Sequence, residues 1–403
     1  MKLFVSVIYC LVLLSMMAEC SSNTSLLQSE LNTTILLPSF ENSSYNETRP
    51  IYLDPSYYSI NYRIIGTVFQ GIVFVVGALG NIMVVIVVWQ TRSMHTPTNC
   101  YLVSLSIADF MVLISSVPNE IFAYYLLGDE WIWGRWGCAI FIFLQYLGIN
   151  ASSLSITAFT IERYIAICHP MKAQFICTVN RAKKIIIGVW IFASIYCSPW
   201  LFLTKTAPIY YKGYEDLETC TFALSRNLYV GYFMADMVLF YAFPLLLSVI
   251  LYSLIAKILF TNEIPKTPGK KNGSTPLSTG DSKKSNNNYN ARVQVVKMLI
   301  VVVVLFATLW FPYRFLVVYN SFASNRYMEL WFLMFCKTMI FINSAINPIL
   351  YNAMSIKFRK AFKRLLSCGT PFVYSNNILG QKARPNIPTR YTTVTTAMGD
   401  DAV

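Results

Sequence analysis

Seven apolar stretches separated by short polar segments dominate this chain, at residues 64–89, 99–126, 137–168, 185–203, 228–258, 293–320 and 331–352. About 20 apolar residues in helical rise cross roughly 30 Å of hydrocarbon, so each stretch predicts a membrane span. Only helices and closed barrels satisfy their own backbone polar groups in lipid. The predicted fold class is therefore an all-α membrane protein, a seven-transmembrane helix bundle over residues 63–353. Beyond it, Ile356, Phe358, Phe362, Leu365 and Leu366 alternate at helical spacing with Lys357, Arg359, Lys360, Lys363 and Arg364. That pattern predicts a short amphipathic eighth helix over 354–368 lying on the membrane, with Cys368 placed for palmitoylation.

The flanking segments follow other patterns. Lys2 precedes an apolar run with Ala18 and Cys20 spaced like a cleavage site, which predicts a signal peptide over 1–20. Residues 21–62 are polar and carry glycosylation sequons at Asn23, Asn32, Asn42 and Asn46, as expected of a disordered extracellular tail. Residues 260–292, rich in Lys, Pro, Gly, Ser and Asn, predict a flexible inner loop, and 369–403 a disordered cytoplasmic tail.

Composition narrows the class. With 55% hydrophobic and 13% charged residues, the 403-residue chain is too apolar for a soluble multidomain protein. The net charge of +13 comes from cations in loops beside spans, a positive-inside pattern that points to membrane lipid and cytosolic proteins, not nucleic acid, as partners. Arg92, Lys172, Arg181, Lys183 and Lys184 mark the inner side; Asp129, Glu130, Glu215, Asp216 and Glu218 mark the outer. The expected location is the plasma membrane, multi-pass, with the amino terminus extracellular and the carboxyl terminus cytoplasmic. Of ten cysteines, Cys138 and Cys220 alone fall on outer segments of the spanning region, where they are expected to pair, with free thiols as the alternative. His95 and His169 lack ligand-spaced partners, and no internal repeats are evident, so neither a metal enzyme nor a transporter is indicated and no enzymatic activity is expected.

Polar residues inside apolar spans carry the chemistry. Asn81, Asp109, Ser152, Asn343, Ser344 and Asn347 must face inward and share partners. An ionised Asp109 invites a sodium ion, the one cofactor-like species expected; a protonated Asp109 in a structural hydrogen-bond network is the alternative. Glu162 and Arg163 suggest a local ion pair that a competitor can break, with simple snorkelling of Arg163 as the bland reading. Pro244, Pro312 and Pro348 interrupt spans five to seven and suggest hinges.

Gly80-Asn81, Asp109 closing the run 105–109, Glu162-Arg163-Tyr164, Trp190, Pro244 with Tyr252, Trp310-Phe311-Pro312, and Asn347-Pro348 through Tyr351 occur in order. Together they resemble the rhodopsin-like G-protein-coupled receptors. The resemblance implies agonist entry from outside, Trp310 as a toggle beneath the ligand, an outward swing of helix six and exposure of Arg163 to a heterotrimeric G protein. Runs 98–106, 144–153, 156–170, 172–175 and 181–187 further resemble thyrotropin-releasing hormone receptors. That group binds the amidated tripeptide pyroglutamyl-histidyl-prolinamide and signals through Gq and phospholipase C. The likeness implies that Tyr146 and Asn150 meet the pyroglutamyl ring and Tyr313 the histidine, with Gln145, Arg314, Asn320 and Lys337 completing the ligand set. Lys337 replaces the group's arginine, and Glu120 on the neighbouring span is expected to pair with it. Gln145 stands where amine receptors carry aspartate, which disfavours an amine ligand; a different short neuropeptide also suits the fold. Ser274, Thr275, Ser278, Thr392, Thr393, Thr395 and Thr396 are expected substrates of receptor kinases, preparing arrestin binding.

Overall fold

The computed structural model describes residues 52–224, 226–261, 279–323 and 325–366, except for the side chains of 226, 227, 259–261, 279–299 and 354. The expected signal peptide, the four sequons, Ser274, Thr275, Ser278, Cys368 and the carboxyl-terminal tail lie outside the described residues. Seven helices are long and apolar enough to cross a membrane. They are span one, Ile60–Gln90; span two, Pro97–Ala123; span three, Gly134–Cys168; span four, Val179–Leu203; span five, Leu228–Ile258; span six, within the helix Thr279–Phe322; and span seven, Leu330–Met354. The amphipathic helix Ile356–Leu366 follows, burying Phe358 and Phe362 against the bundle.

Local chemistry sets the helix starts. Ser59 accepts from the Tyr62 amide at 3.3 Å, Thr96 from Asn99 at 3.3 Å ahead of Pro97, and Thr178 from Arg181 at 3.3 Å. Glu329 accepts from both Trp331 and Phe332. These caps move spans one, two and four outward from the hydropathy bounds, because a helix starts where its free amides find acceptors rather than where lipid ends. The expected flexible loop over 260–292 needs correcting: helix six already begins at Thr279. Once a helix is nucleated, each added residue gains a hydrogen bond, so the span runs on into polar sequence.

Span one shows lipid and core faces clearly. Ile64, Val68, Ile72, Val75 and Leu79 form an exposed stripe, while Gly77 and Asn81 are buried. A β-carbon at Gly77 would lie 2.7 Å from the Ala345 β-carbon on span seven, and one at Gly148 3.0 Å from the Ala108 carbonyl on span two. Small residues thus let backbones approach where lipid supplies no hydrophobic drive between helices.

Prolines free carbonyls one turn earlier, and polar neighbours take them up. Pro348 frees the Ser344 carbonyl, which accepts from Asn81 at 3.0 Å. Pro244 frees that of Phe240, which accepts from Ser153 at 2.6 Å beside a π-helical turn over Val238–Ala242.

One departure from an all-helical reading is a hairpin, β1 Thr204–Ile209 paired antiparallel with β2 Leu217–Phe222, between spans four and five. Gly213 and Asp216 take positive φ values of 80° and 58° in its turn. Cys220 on β2 is disulfide-bonded to Cys138 on span three, as expected, with their Cα atoms 5.6 Å apart.

Candidate functional site

At the bundle's centre Asp109 is fully buried; one carboxylate oxygen accepts from Ser152 at 2.9 Å and the other from Asn347 at 2.7 Å. Asn343 joins through its carbonyl, 3.4 Å from the Asn347 amide, and Ser344 through the carbonyl held by Asn81. The expected polar residues of spans one, two, three and seven therefore form one contiguous cluster. Around Asp109, hydroxyl and amide groups outnumber charges, a donor set that suits a small hard cation once Ser152 turns a lone pair inward.

At the end opposite the disulfide, the expected Glu162–Arg163 ion pair is not among those of the described residues. Successive side chains on a helix diverge by about 100°, so i and i+1 do not face each other. Arg163 instead lies with its guanidinium carbon 5.9 Å from the Phe159 ring. Glu162 is only 4% exposed, and its Oε1 has no hydrogen-bond partner among the described residues. Burial, then the nearby Glu162 carboxylate, pushes the Cys177 thiol up to about 11. Thr160 spends its proton on the Ile156 carbonyl, so Tyr252 donates to Thr160 at 3.0 Å, joining spans three and five. Tyr164 sits edge-on to His169 at 5.5 Å, and Tyr351 packs on Phe358 at 5.8 Å, joining span seven to the amphipathic helix.

The disulfide end gathers most of the expected ligand set. Tyr146 and Asn150 stand one helical turn apart on span three. Tyr146 stacks on Trp200 at 4.6 Å, and Asn150, fully buried, donates to the Cys197 sulfur at 3.4 Å, leaving its Oδ1 without a protein partner. Tyr313 lies edge-on to Trp310 at 6.4 Å. Gln145 is half-buried beside Tyr146. Asn320 is held apart: its amide donates to the Tyr327 carbonyl at 3.0 Å and its carbonyl accepts from the Tyr327 amide at 2.8 Å, pinning the turn after span six.

Two ion pairs cross this end. Lys337 donates to both oxygens of Glu120 at 2.7 and 2.8 Å, the pairing expected of neighbouring spans two and seven. The second was not foreseen: Arg314 on span six donates to Asp236 on span five at 2.5 Å, and its guanidinium carbon stands 5.1 Å from the Trp310 ring. Asp236 is a charge inside an apolar run, so the rule that singled out Asp109 also applies to it. Gln70 on span one, donating to Thr338 at 3.2 Å, was missed in the same way.

Lys337 and Glu120 keep 41% and 18% of their side-chain surface exposed, so solvent screens the pair. Reversing either charge alone is expected to cost about 1 kcal/mol and reduce surface expression, with Glu120→Lys plus Lys337→Glu restoring it. Quantitative cell-surface labelling measures this, and a double variant no better than the worse single one refutes the coupling.

A family model described as the seven-transmembrane receptor (rhodopsin family) matches residues 80–351. The chain is 49% identical over 340 residues to a thyrotropin-releasing hormone receptor of Bos taurus, covering 81% of this chain and 84% of that one. It is 48% identical over 340 residues to the receptor of that name in Homo sapiens, with the same coverages. More distantly, it is 30% identical over 324 residues to a QRFP-like peptide receptor of Branchiostoma floridae, covering 79% and 80%. The matched family consists of receptors rather than enzymes, in agreement with the sequence. With its ordered motifs, seven spans and matched core, this multi-pass membrane protein belongs to the rhodopsin family of seven-transmembrane receptors.

Proposed function

We propose that this receptor binds a short amidated peptide of the pyroglutamyl-histidyl-prolinamide type at its disulfide end, which faces the extracellular side, and activates a Gq-type G protein from the other. The observation that carries the reading is Asn150: an amide wholly buried beside Tyr146, with an acceptor oxygen that no protein group satisfies. Such an oxygen calls for an N–H donor, and a lactam supplies one next to a carbonyl. The neutral Gln145 and the internally compensated Glu120–Lys337 pair suit a ligand without net charge, and the similar hormone receptors support the peptide class. Receptor kinases and arrestin act on the inner hydroxyls, and a sodium ion held by Asp109, Ser152 and the Asn347 region opposes agonist binding. A related short neuropeptide is the second reading, favoured by lysine rather than arginine at 337.

Calcium release in cells expressing the chain tests this. The tripeptide amide is expected to evoke a response that a Gq inhibitor abolishes, that Asn150→Ala weakens by about tenfold or more, and that Lys337→Arg strengthens. Raising sodium is expected to lower potency in the parent but not in Asp109→Asn. No response in the parent or in Lys337→Arg rejects the tripeptide class, and sodium effects equal in parent and variant reject the ion site.

A further inference from the structure

Residues 52–58, expected from sequence to belong to an unstructured tail, are ordered and pinned at both ends. At one end Leu53 pairs with Tyr211 near the hairpin turn: its amide donates to the Tyr210 carbonyl at 2.9 Å, and its carbonyl accepts from Lys212 at 2.9 Å. Tyr52 lies edge-on to Tyr210 at 5.8 Å, Asp54 pairs with Lys212 at 2.7 Å, and the Tyr57 and Tyr214 hydroxyls are 3.2 Å apart. The hairpin is itself tied to span three by the disulfide and to the loop before it by Trp131, whose amide donates to the Glu218 carbonyl at 2.7 Å.

The other end enters an aromatic cluster shared by spans one, two and seven. Tyr58 stacks on Tyr62 at 5.1 Å and meets Tyr124 edge-on at 6.3 Å; Tyr62 in turn packs on Tyr124 at 5.3 Å and Trp331 at 5.2 Å. Arg63 donates to the Tyr58 carbonyl at 2.8 Å. Tyr124 and Met334, which belong to the same cluster, stand about one helical turn from Glu120 and Lys337 toward the disulfide end of spans two and seven, so the segment lies beside that ion pair.

The two attachments differ in kind. Tyr58 lies among ring contacts that include the buried Tyr62 and Tyr124, whereas the Asp54–Lys212 pair is 82% and 62% exposed at its side chains and Tyr57 is half exposed. Exposed pairs and a single bridge are the contacts that open first in a folded protein. The hairpin end is therefore the releasable one.

We propose that residues 52–58 form a strap across the mouth of the ligand site at its Glu120–Lys337 corner, releasing from the hairpin to admit a ligand and closing over it. Resting on the peptide reading above, the strap selects for size: a peptide short enough to lie wholly beneath it is accepted, and one whose chain continues outward past that corner is disfavoured.

Tyr211→Cys places a thiol at the releasable attachment, where Leu53 bridges Tyr211 and Tyr211 is 9% exposed, and its rate of modification by a membrane-impermeant methanethiosulfonate reports opening without any ligand. Rates are taken against the same chain lacking that substitution. Leu53→Pro, which removes the amide that donates to Tyr210, and Asp54→Lys, which sets like charges together, are each expected to raise the rate at least about fivefold. Asp54→Lys with Lys212→Asp is expected to return it to the starting value, which a misfolded protein would not do. Unchanged rates in both single variants at equal surface expression overturn the strap. The tripeptide amide and the same sequence lengthened at its carboxyl end are then compared: Leu53→Pro is expected to narrow the potency gap between them. Faster labelling with an unchanged gap overturns the size selection. A chain silent to both peptides rejects the peptide reading, while the labelling rates still decide the strap.

Discussion

Asp236→Ala is expected to destabilise the folded receptor by about 3–5 kcal/mol, the loss that follows when one member of a buried ion pair is removed and the other stays. Asp236 and Arg314 keep only 2% and 7% of their side-chain surface exposed, and each sits within a span. Alanine at 236 leaves a guanidinium, which cannot give up its charge, facing apolar side chains and the Trp310 ring. Arg314→Met should be nearly as costly, since it strands the carboxylate. Replacing both, as Asp236→Leu with Arg314→Met, should recover most of the loss, because desolvating two charges consumed much of what their attraction returned. Thermal unfolding of the detergent-solubilised receptor measures the series. A single-variant midpoint lower by on the order of 10 °C, with the double variant close to the parent, is the expected pattern. Equal losses in single and double variants would show that the pair's worth lies in packing alone.

Breaking the Cys138–Cys220 bond comes next in size. It closes a loop of 82 residues in sequence separation, and chain-entropy reasoning values such a closure at about 2–5 kcal/mol. Cys138→Ala, Cys220→Ala and the double substitution are expected to be equally destabilised, because the first change already removes the whole bond. Losses that add would mean that each cysteine contributes by burial instead. The double substitution frees the hairpin from span three without leaving a lone thiol, so labelling at Tyr211→Cys is expected to quicken with it, the strap having lost the rigidity of its anchor.

Much of the fold was legible because span formation is a local matter. In hydrocarbon each segment must satisfy its own backbone, so length and polarity over about 20 residues suffice. The clustering of Asp109 with Ser152 and Asn347 was legible for a related reason: a polar side chain within a span must turn away from lipid, and few inward partners exist. Glu120 with Lys337 followed from span adjacency and opposite charge. Asp236 carries the same signal in principle, yet one acid in a long apolar run does not identify its partner, Arg314, without the packing of spans five and six.

Other features were beyond such reasoning. Glu162 and Arg163 are adjacent in sequence, but helix rotation points them apart, and Arg163 lies on the Phe159 ring instead. That Asn81 spends its amide on the carbonyl freed by Pro348, and Ser153 on that freed by Pro244, depends on which helix faces each proline. The hairpin and residues 52–58 lie outside the apolar runs, where polarity alone does not distinguish an ordered strap from a loose tail.

From its sequence alone this protein's span number, helical class, disulfide partners and inward polar cluster were determined, since hydrocarbon imposes on each segment a condition that the segment meets by itself. Tertiary structure alone decided how each helix is turned about its axis and what docks on the bundle's ends. Hence it alone paired Asp236 with Arg314, separated Glu162 from Arg163 and laid residues 52–58 against the hairpin, because those contacts join groups whose meeting no local rule prescribes.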